Sequence, residues 1–241
     1  MATEVWVSAS QKGGVGKTTV AMCIADGLQR DGKKVVLFDA DPQATAFKWE
    51  SRSFNGMPRY PVRVERLSGL SPVEFLEHIL KVCDDEVART NVEFDYVVID
   101  TPPNLKSEDL EAALFVSDKV IVPVKPNRMA IEALEELFML FENANAFRAA
   151  NQRPPLSVNL LVNFMQSSRR TNADMVTVLK AAQDKYAKLR GVNSVLLETQ
   201  LKTLAAFENA PNYRTSVFSL PGSKDARESI QRLVEEAQQA K

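Results

Sequence analysis

Ser8-Ala9-Ser10-Gln11-Lys12-Gly13-Gly14-Val15-Gly16-Lys17-Thr18-Thr19 is the stretch that decides how this 241-residue chain reads. It follows a β-rich run, Glu4–Ser10, and opens a helical pattern over Lys17–Arg30. Gly13, Gly14 and Gly16 let the backbone curl with its N–H groups turned inward. With Val15, Thr18 and Thr19 they form a candidate cradle for phosphate oxygens, reinforced by the positive end of the following helix. In such a loop Lys17 reaches the β- and γ-phosphates and the Thr18 hydroxyl ligates Mg²⁺. The usual spacing GxxxxGK[ST] has Gly at position 11. Here Gln11 stands there, and the loop carries a second lysine, Lys12.

Outward from this loop, short β-rich runs alternate with longer helical patterns. The runs are Glu4–Ser10, Lys34–Asp39, Val62–Leu67, Phe94–Asp100, Lys119–Val124, Ser157–Asn163 and Val192–Leu197. Several are continuously apolar, as in Val35-Val36-Leu37-Phe38 and Tyr96-Val97-Val98-Ile99, which suits strands covered on both faces. Helices are expected over Lys17–Arg30, Pro72–Ala88, Ser107–Val116, Ala130–Ala149, Arg170–Leu189 and Lys224–Ala240. The alternation predicts an α/β fold, a doubly wound and mostly parallel sheet flanked by helices. No linker-like stretch or internal repeat divides the chain, so one domain over 1–241 is expected.

Composition narrows the function classes. Hydrophobic residues make up 45% and charged residues 25%, which excludes a disordered or low-complexity chain. The net charge of −1 excludes a uniformly basic protein held to nucleic acid by bulk charge. The charge is uneven, because residues 151–241 hold 13 Lys+Arg against 8 Asp+Glu. A basic C-terminal third hints at a polyanionic partner. Cys23 and Cys83 make neither a CxxC pair nor a zinc spacing, and the single His78 cannot build a metal site alone. There is no signal-like segment and no run of about 18 apolar residues. A cytoplasmic protein is expected.

Two further strand ends carry carboxylates. Asp39-Ala40-Asp41-Pro42-Gln43 follows one apolar run, and Asp100-Thr101-Pro102-Pro103 follows another. In an α/β sheet the C-terminal strand ends border the ligand crevice. Carboxylates there face the phosphate loop, where a cation or a water tolerates them. Asp100 reads as the aspartate that binds Mg²⁺ mostly through water. Asp39 is expected near the metal through water. Asp41 has two readings: a site role, or capping of a helix that starts at Pro42.

The loop Lys12-Gly13-Gly14-Val15-Gly16-Lys17-Thr18 resembles the motif KGGxGK[ST] of the deviant Walker A ATPases, the ParA/MinD family. Asp39–Gln43 resembles that family's DxDPQ element, and Asp100–Pro103 its DTPP element. The chain looks most like the small ParA partition ATPases that have no N-terminal DNA-reading domain. The resemblance implies ATP and Mg²⁺ as cofactors and an ATP-dependent homodimer. It implies that Lys12 crosses the dimer interface to the partner subunit's phosphates, that Asp41 orients the attacking water, and that Thr101–Pro103 senses the γ-phosphate. Asn163, at the end of an apolar run, is either an adenine-edge contact, as in some relatives, or a turn residue.

The resemblance further implies nonspecific double-stranded DNA and a ParB-like adaptor as partners. Slow hydrolysis would be stimulated by the adaptor, at a nucleoid-associated location. The alternative is the same switch positioning a protein cargo, and a metabolic P-loop enzyme is the third reading. Candidate DNA contacts are Arg170, Lys202, Arg214, Lys224 and Arg227, with Arg169 beside them; a solvated basic surface is the plainer account of the same residues. The last helix puts Ile230, Leu233, Val234 and Ala237 on one face and Glu235, Glu236, Gln238 and Gln239 on the other. That pattern suits core packing and not a membrane surface, which wants Lys/Arg on the polar face.

Overall fold

A computed structural model describes residues 3–11, 13–166 and 170–240. Its centre is one seven-stranded sheet, and every pairing in it is parallel. The strands are β1 (Glu4–Ser8), β2 (Val35–Asp39), β3 (Arg63–Arg66), β4 (Tyr96–Asp100), β5 (Lys119–Val124), β6 (Ser157–Met165) and β7 (Ser194–Lys202). Their spatial order is β3-β2-β4-β1-β5-β6-β7. From β1 the chain crosses to β2 and then β3 at one edge, returns to β4 between β2 and β1, and then runs outward through β5, β6 and β7 on the other side. The loop after β1 lies at the C-terminal strand edge beside this switch point, where such sheets bind ligands.

Alternation along the strands explains both faces. Val7, Val36, Phe38, Val97, Ile99, Val120 and Val122 join one core, and Trp6, Val35, Leu37, Val98 and Ile121 join the other. The first core is covered by α3 (Pro72–Thr90), α4 (Glu108–Val116), α6 (Leu134–Ala150) and α7 (Arg170–Arg190). The second is covered by α1 (Lys17–Arg30), α2 (Thr45–Ser51), α8 (Ala205–Tyr213) and α9 (Lys224–Gln239). A short α5 (Arg128–Glu132) leads into α6, its N-terminus capped by the Asn127 side chain. Gly27 lets α1 and α9 approach closely, since a Cβ there would lie 3.0 Å from Val234.

The last helix packs as its pattern requires: Ile230, Leu233, Val234 and Ala237 are fully buried. The buried Lys119 ammonium donates to the Ala237 carbonyl in the last turn of α9. No helix among the described residues is long and apolar enough to cross a membrane.

Two helices lie outside the six expected helical spans. One is α2, only seven residues long and entered through Ala44 in the left-handed region. The other is α8, which contains Pro211. The final strand runs to Lys202, five residues beyond its apolar run, because this edge strand is only partly covered.

Arg148 is fully buried in α6. It donates to the carbonyls of Leu114 and Phe115, closing the end of α4, and to the Pro154 carbonyl. Arg148→Leu removes these three bonds and strands the Phe115 and Pro154 carbonyls, while the Leu114 carbonyl keeps the Ser117 hydroxyl. We expect a loss of about 3 kcal/mol, or roughly 6–12 °C in Tm for a chain of this size, read by calorimetry.

Candidate active site

Strand register assembles the site. Ser8 pairs with Asp100 across β1–β4, and Asp39 pairs with Asp100 across β2–β4. Three strand-end side chains therefore lie side by side at the C-terminal edge. Cross-ties hold the row: the Thr101 hydroxyl donates to the Ser8 carbonyl at 2.8 Å, and the Ser8 hydroxyl donates to the Lys17 carbonyl at 3.2 Å. The Thr101 hydroxyl is thus committed to joining two strands.

Gly16 turns the chain into α1 with φ +89°, a left-handed conformation that glycine adopts without cost. A Cβ at this position would meet the Asn163 amide nitrogen at 2.5 Å. Gly13 and Gly14 are exposed and Val15 is buried. Lys17 is 7% exposed at the first position of α1, and Thr18 and Thr19 are half-buried beside it. Lys12 lies outside the described residues.

Asp100 is completely buried, and neither carboxylate oxygen has a hydrogen-bond partner among the described residues. The Thr18 hydroxyl faces it, near enough to favour the ionised form but outside good hydrogen-bond geometry. Burial pushes the Asp100 carboxyl up to about 8, an effect the neighbouring Asp39 adds to and Lys17 opposes. Burial also holds Lys17 below the usual lysine range, against the pull of Asp100 and Asp41. An unpartnered buried carboxylate beside a threonine hydroxyl and a phosphate-type loop fits Mg²⁺, which keeps several waters and takes few protein ligands. The donor set also accounts for finding no cluster of three His, Cys, Asp or Glu side chains among the described residues.

Asp39 and Asp41 divide their work differently from the sequence reading. Helix α2 begins at Thr45, so Asp41 does not cap a helix at Pro42. Asp41 instead makes a turn: its Oδ1 accepts from the Gln43 N–H at 2.9 Å and its carbonyl accepts from Ala44 at 2.8 Å. Capping falls to Asp39, whose two oxygens accept from Asp41 N–H at 3.1 Å and Phe47 N–H at 2.9 Å. The buried Asp39 is thus anchored to the start of α2, with its carboxyl raised by desolvation.

Asn163 bonds within the protein on both ends. Its Nδ2 donates to the Val15 carbonyl at 2.8 Å, and its Oδ1 accepts from Phe164 N–H at 2.9 Å. It ties β6 to the glycine loop and walls a cleft of about 110 Å³ alongside Gly16 and Thr19. Phe164, Thr203, Leu204 and Phe207 give this cleft an apolar lining. Phe164 sits in the left-handed region at φ 59°, with the Lys125 ammonium 4.3 Å above its ring. Sequence reading missed this apolar wall, because it gathers Phe164 of β6, the turn after β7 and Phe207 of α8.

The basic candidates do not form one patch. Lys202 lines the cleft beside the glycine loop. Lys224 and Arg227 gather with Arg30 around a shallow depression at the far end of α1, about 20 Å away by helix length. Arg214 lies over Phe54, which Arg52 also covers. The Arg170 side chain, and the whole of Arg169, lie outside the described residues.

Comparison with known proteins agrees with this geometry. The family described as CobQ/CobB/MinD/ParA nucleotide binding domain matches residues 6–238. The chain belongs to this family. It is 34% identical over 154 residues to the chromosome-partitioning ATPase Soj of Thermus thermophilus, covering 57% of this chain and 61% of that one. It is 29% identical over 229 residues to maintenance of carboxysome distribution protein A of Halothiobacillus neapolitanus, covering 95% and 93%. The structure of an ATP complex of Cyanothece McdA superposes with a TM-score of 0.69 at 18% identity, covering 99% of this chain and 97% of that one. At that identity the superposition speaks for the fold.

The raised Asp100 carboxyl has a consequence for stability. Between about pH 4 and pH 8 the folded chain holds a proton there that the unfolded chain releases, so its contribution falls as pH rises. In nucleotide-free protein, Asp100→Asn should raise Tm more at pH 8 than at pH 5, where Asp100 is already neutral. Thermal scans at the two pH values check this; an equal change at both contradicts it.

Proposed function

We propose that this protein is an ATP-dependent positioning ATPase of the ParA type, whose ATP-bound dimer holds nonspecific DNA and answers to a ParB-like adaptor. The observation that carries the reading is a buried Lys17 and a buried Asp100 without a hydrogen-bond partner among the described residues, each in the other's field, beside a glycine loop. Loop N–H groups and the α1 N-terminus would hold the phosphates, with Lys17 placed against the β- and γ-oxygens. Thr18 and Asp100 would hold Mg²⁺, Asp100 through water; the metal supplies charge neutralisation on the phosphates. Asp39 anchors α2, so its part at the metal is that of a neighbouring charge.

Asp41 is the group we assign to the attacking water. Its Oδ1 is fixed by Gln43, and its Oδ2 has no partner among the described residues. Lys12 is assigned, from the family motif, to the partner subunit's phosphates. A second ammonium there offsets charge that Lys17 and the metal leave, and makes the nucleotide part of the interface. The apolar cleft beside Asn163 would take the base, with Asn163 keeping one spare donor and one spare acceptor. DNA contact is assigned to the cluster of Arg30, Lys224 and Arg227 before Arg214. Lys202 sits where it would meet nucleotide instead. One domain over 1–241 and a cytoplasmic, nucleoid-associated location belong to this reading.

A second reading keeps the switch and changes the cargo to a protein assembly. It is favoured by the near full-length match to a protein named for carboxysome distribution, against partial coverage of Soj.

Duplex DNA binding, measured with ATP and with ADP over a range of salt, tests the first reading. Expected is tight binding with ATP only, its log affinity falling with log salt at roughly −0.9 per phosphate contacted. Absence of binding in both states overturns it. Asp41→Ala should bind ATP like the parent and hydrolyse it on the order of 10²-fold more slowly, accumulating DNA-bound dimer. Lys12→Gln should lose stimulated turnover while retaining monomer ATP affinity. Parent-like turnover in either variant removes that residue's role.

A further inference from the structure

A large concavity among the described residues lies away from the glycine loop. It is a trough of about 750 Å³ between α3 and α6, floored by α4. Its origin is a mismatch in length. Helix α4 has nine residues, while its neighbours have 19 and 17, so the two walls overhang a short floor. The lining is apolar, and much of it faces solvent: Val73 is 66% exposed, Leu80 54% and Phe147 59%.

Val73, Leu80 and Phe147 take no part in the sheet core, whereas Leu76, Leu140 and Ala144 rest against it and border the trough as well. Helix α6 sends Leu134, Leu137, Phe138 and Phe141 into the sheet core. A second stripe, Leu140, Ala144 and Phe147, follows at i, i+4 and i+7 and turns to the trough. Helix α3 repeats the pattern, with Phe75, Ile79 and Val82 inward and Val73, Leu76 and Leu80 toward the trough. A contiguous exposed apolar surface of this kind marks an interaction site. Phe147 packs on Phe115 of the floor, ring centroids 5.1 Å apart, so the wall is already ordered.

Charge indicates what the trough takes. The charged side chains on the lining are Glu77 and Glu111, both exposed carboxylates. Across α3, α4 and α6 there are 11 Asp+Glu and only 3 Lys+Arg. Of those three, Arg148 is buried and Arg89 is paired to Glu86. Arg153, stacked on Phe115, donates to the Val116 carbonyl. From Leu140 to Asn151 the α6 wall runs roughly 16 Å, three helical turns.

We infer that the α3–α4–α6 trough is a docking groove for an amphipathic helix of a protein partner, with an apolar stripe at i, i+4 and i+7 and Lys/Arg on its flanks. The stripe fills the space between Leu80 and Phe147, and the flanking cations meet Glu77 and Glu111. Such helix-in-groove recognition needs a preformed apolar channel and complementary rims. The proposal does not depend on what occupies the glycine loop.

The test uses the whole protein without nucleotide and three fluorescein-labelled 18-residue peptides, read by anisotropy. One has a Leu/Phe stripe with Lys/Arg flanks, one the same stripe with Glu flanks, and one the basic composition scrambled to remove the stripe. Expected is saturable binding of the first, at least tenfold tighter than either control. Phe147→Asp, and separately Leu80→Asp, should each weaken it at least tenfold with the circular dichroism spectrum unchanged. Both side chains are exposed, so one serves if the other fails to fold. Glu77→Lys combined with Glu111→Lys should shift preference toward the Glu-flanked peptide. Equal binding of striped and scrambled peptides, no binding of any, or no effect of the Asp variants overturns the proposal. So does nucleotide-free self-association, seen by sedimentation, that Phe147→Asp abolishes, since a second copy then covers the face.

Discussion

An ammonium and a carboxylate, Lys17 and Asp100, are buried at the C-terminal edge of a parallel sheet, and the carboxylate has no hydrogen-bond partner among the described residues. Burying an unpartnered carboxylate is expensive, and the upward displacement of its proton affinity is the measure of that expense. The rest of the sheet is organised to hold the arrangement. The apolar runs of β1, β2 and β4 supply the burial. Their register aligns Ser8, Asp39 and Asp100, and the Thr101 and Ser8 hydroxyls lock the strands and the start of α1 together. Strain of this kind persists where a ligand relieves it, and a metal beside a phosphate would do so.

Only part of this was legible in the sequence. Continuous apolar runs reveal strands covered on both faces, and β2, β4 and β5 were readable for that reason. The glycine loop was readable because its residue types have few other uses. The division of labour between Asp39 and Asp41 was not. Two carboxylates two residues apart offer the same chemistry, and only the position of α2 shows which one caps it. That position depends on Ala44 adopting the left-handed region, which an alanine does not signal. Asn163 posed the same difficulty. A polar residue after a strand suits a turn or a ligand, and its bond to the Val15 carbonyl spans 148 positions of chain.

The two faces of the sheet differ in how completely they use their helices. On the α1 side, α9 buries its single apolar stripe entirely, and its polar face goes to solvent. On the other side, α3 and α6 carry more apolar surface than the sheet consumes. Periodicity alone does not show this. On α6 the two stripes blur into a weakly amphipathic pattern, and the excess becomes visible only where the short α4 leaves part of the second stripe exposed.

Helix α6 also touches the glycine loop. The Gln11 amide, standing where the common motif has glycine, donates to Glu136 in the first turn of α6. The last turns of the same helix wall the trough. A 17-residue helix is a rigid rod roughly 25 Å long, so a displacement of Glu136 moves the trough wall with it. Contiguity of this kind is a route for coupling and not yet a coupling. It becomes one if α6 has two positions that the loop's occupant and the groove's occupant prefer differently. Thermodynamics then fixes the relation: whatever factor nucleotide imposes on groove affinity, the groove's occupant must impose on nucleotide affinity. A helix that serves two sites cannot favour one of them without changing the other by the same free energy.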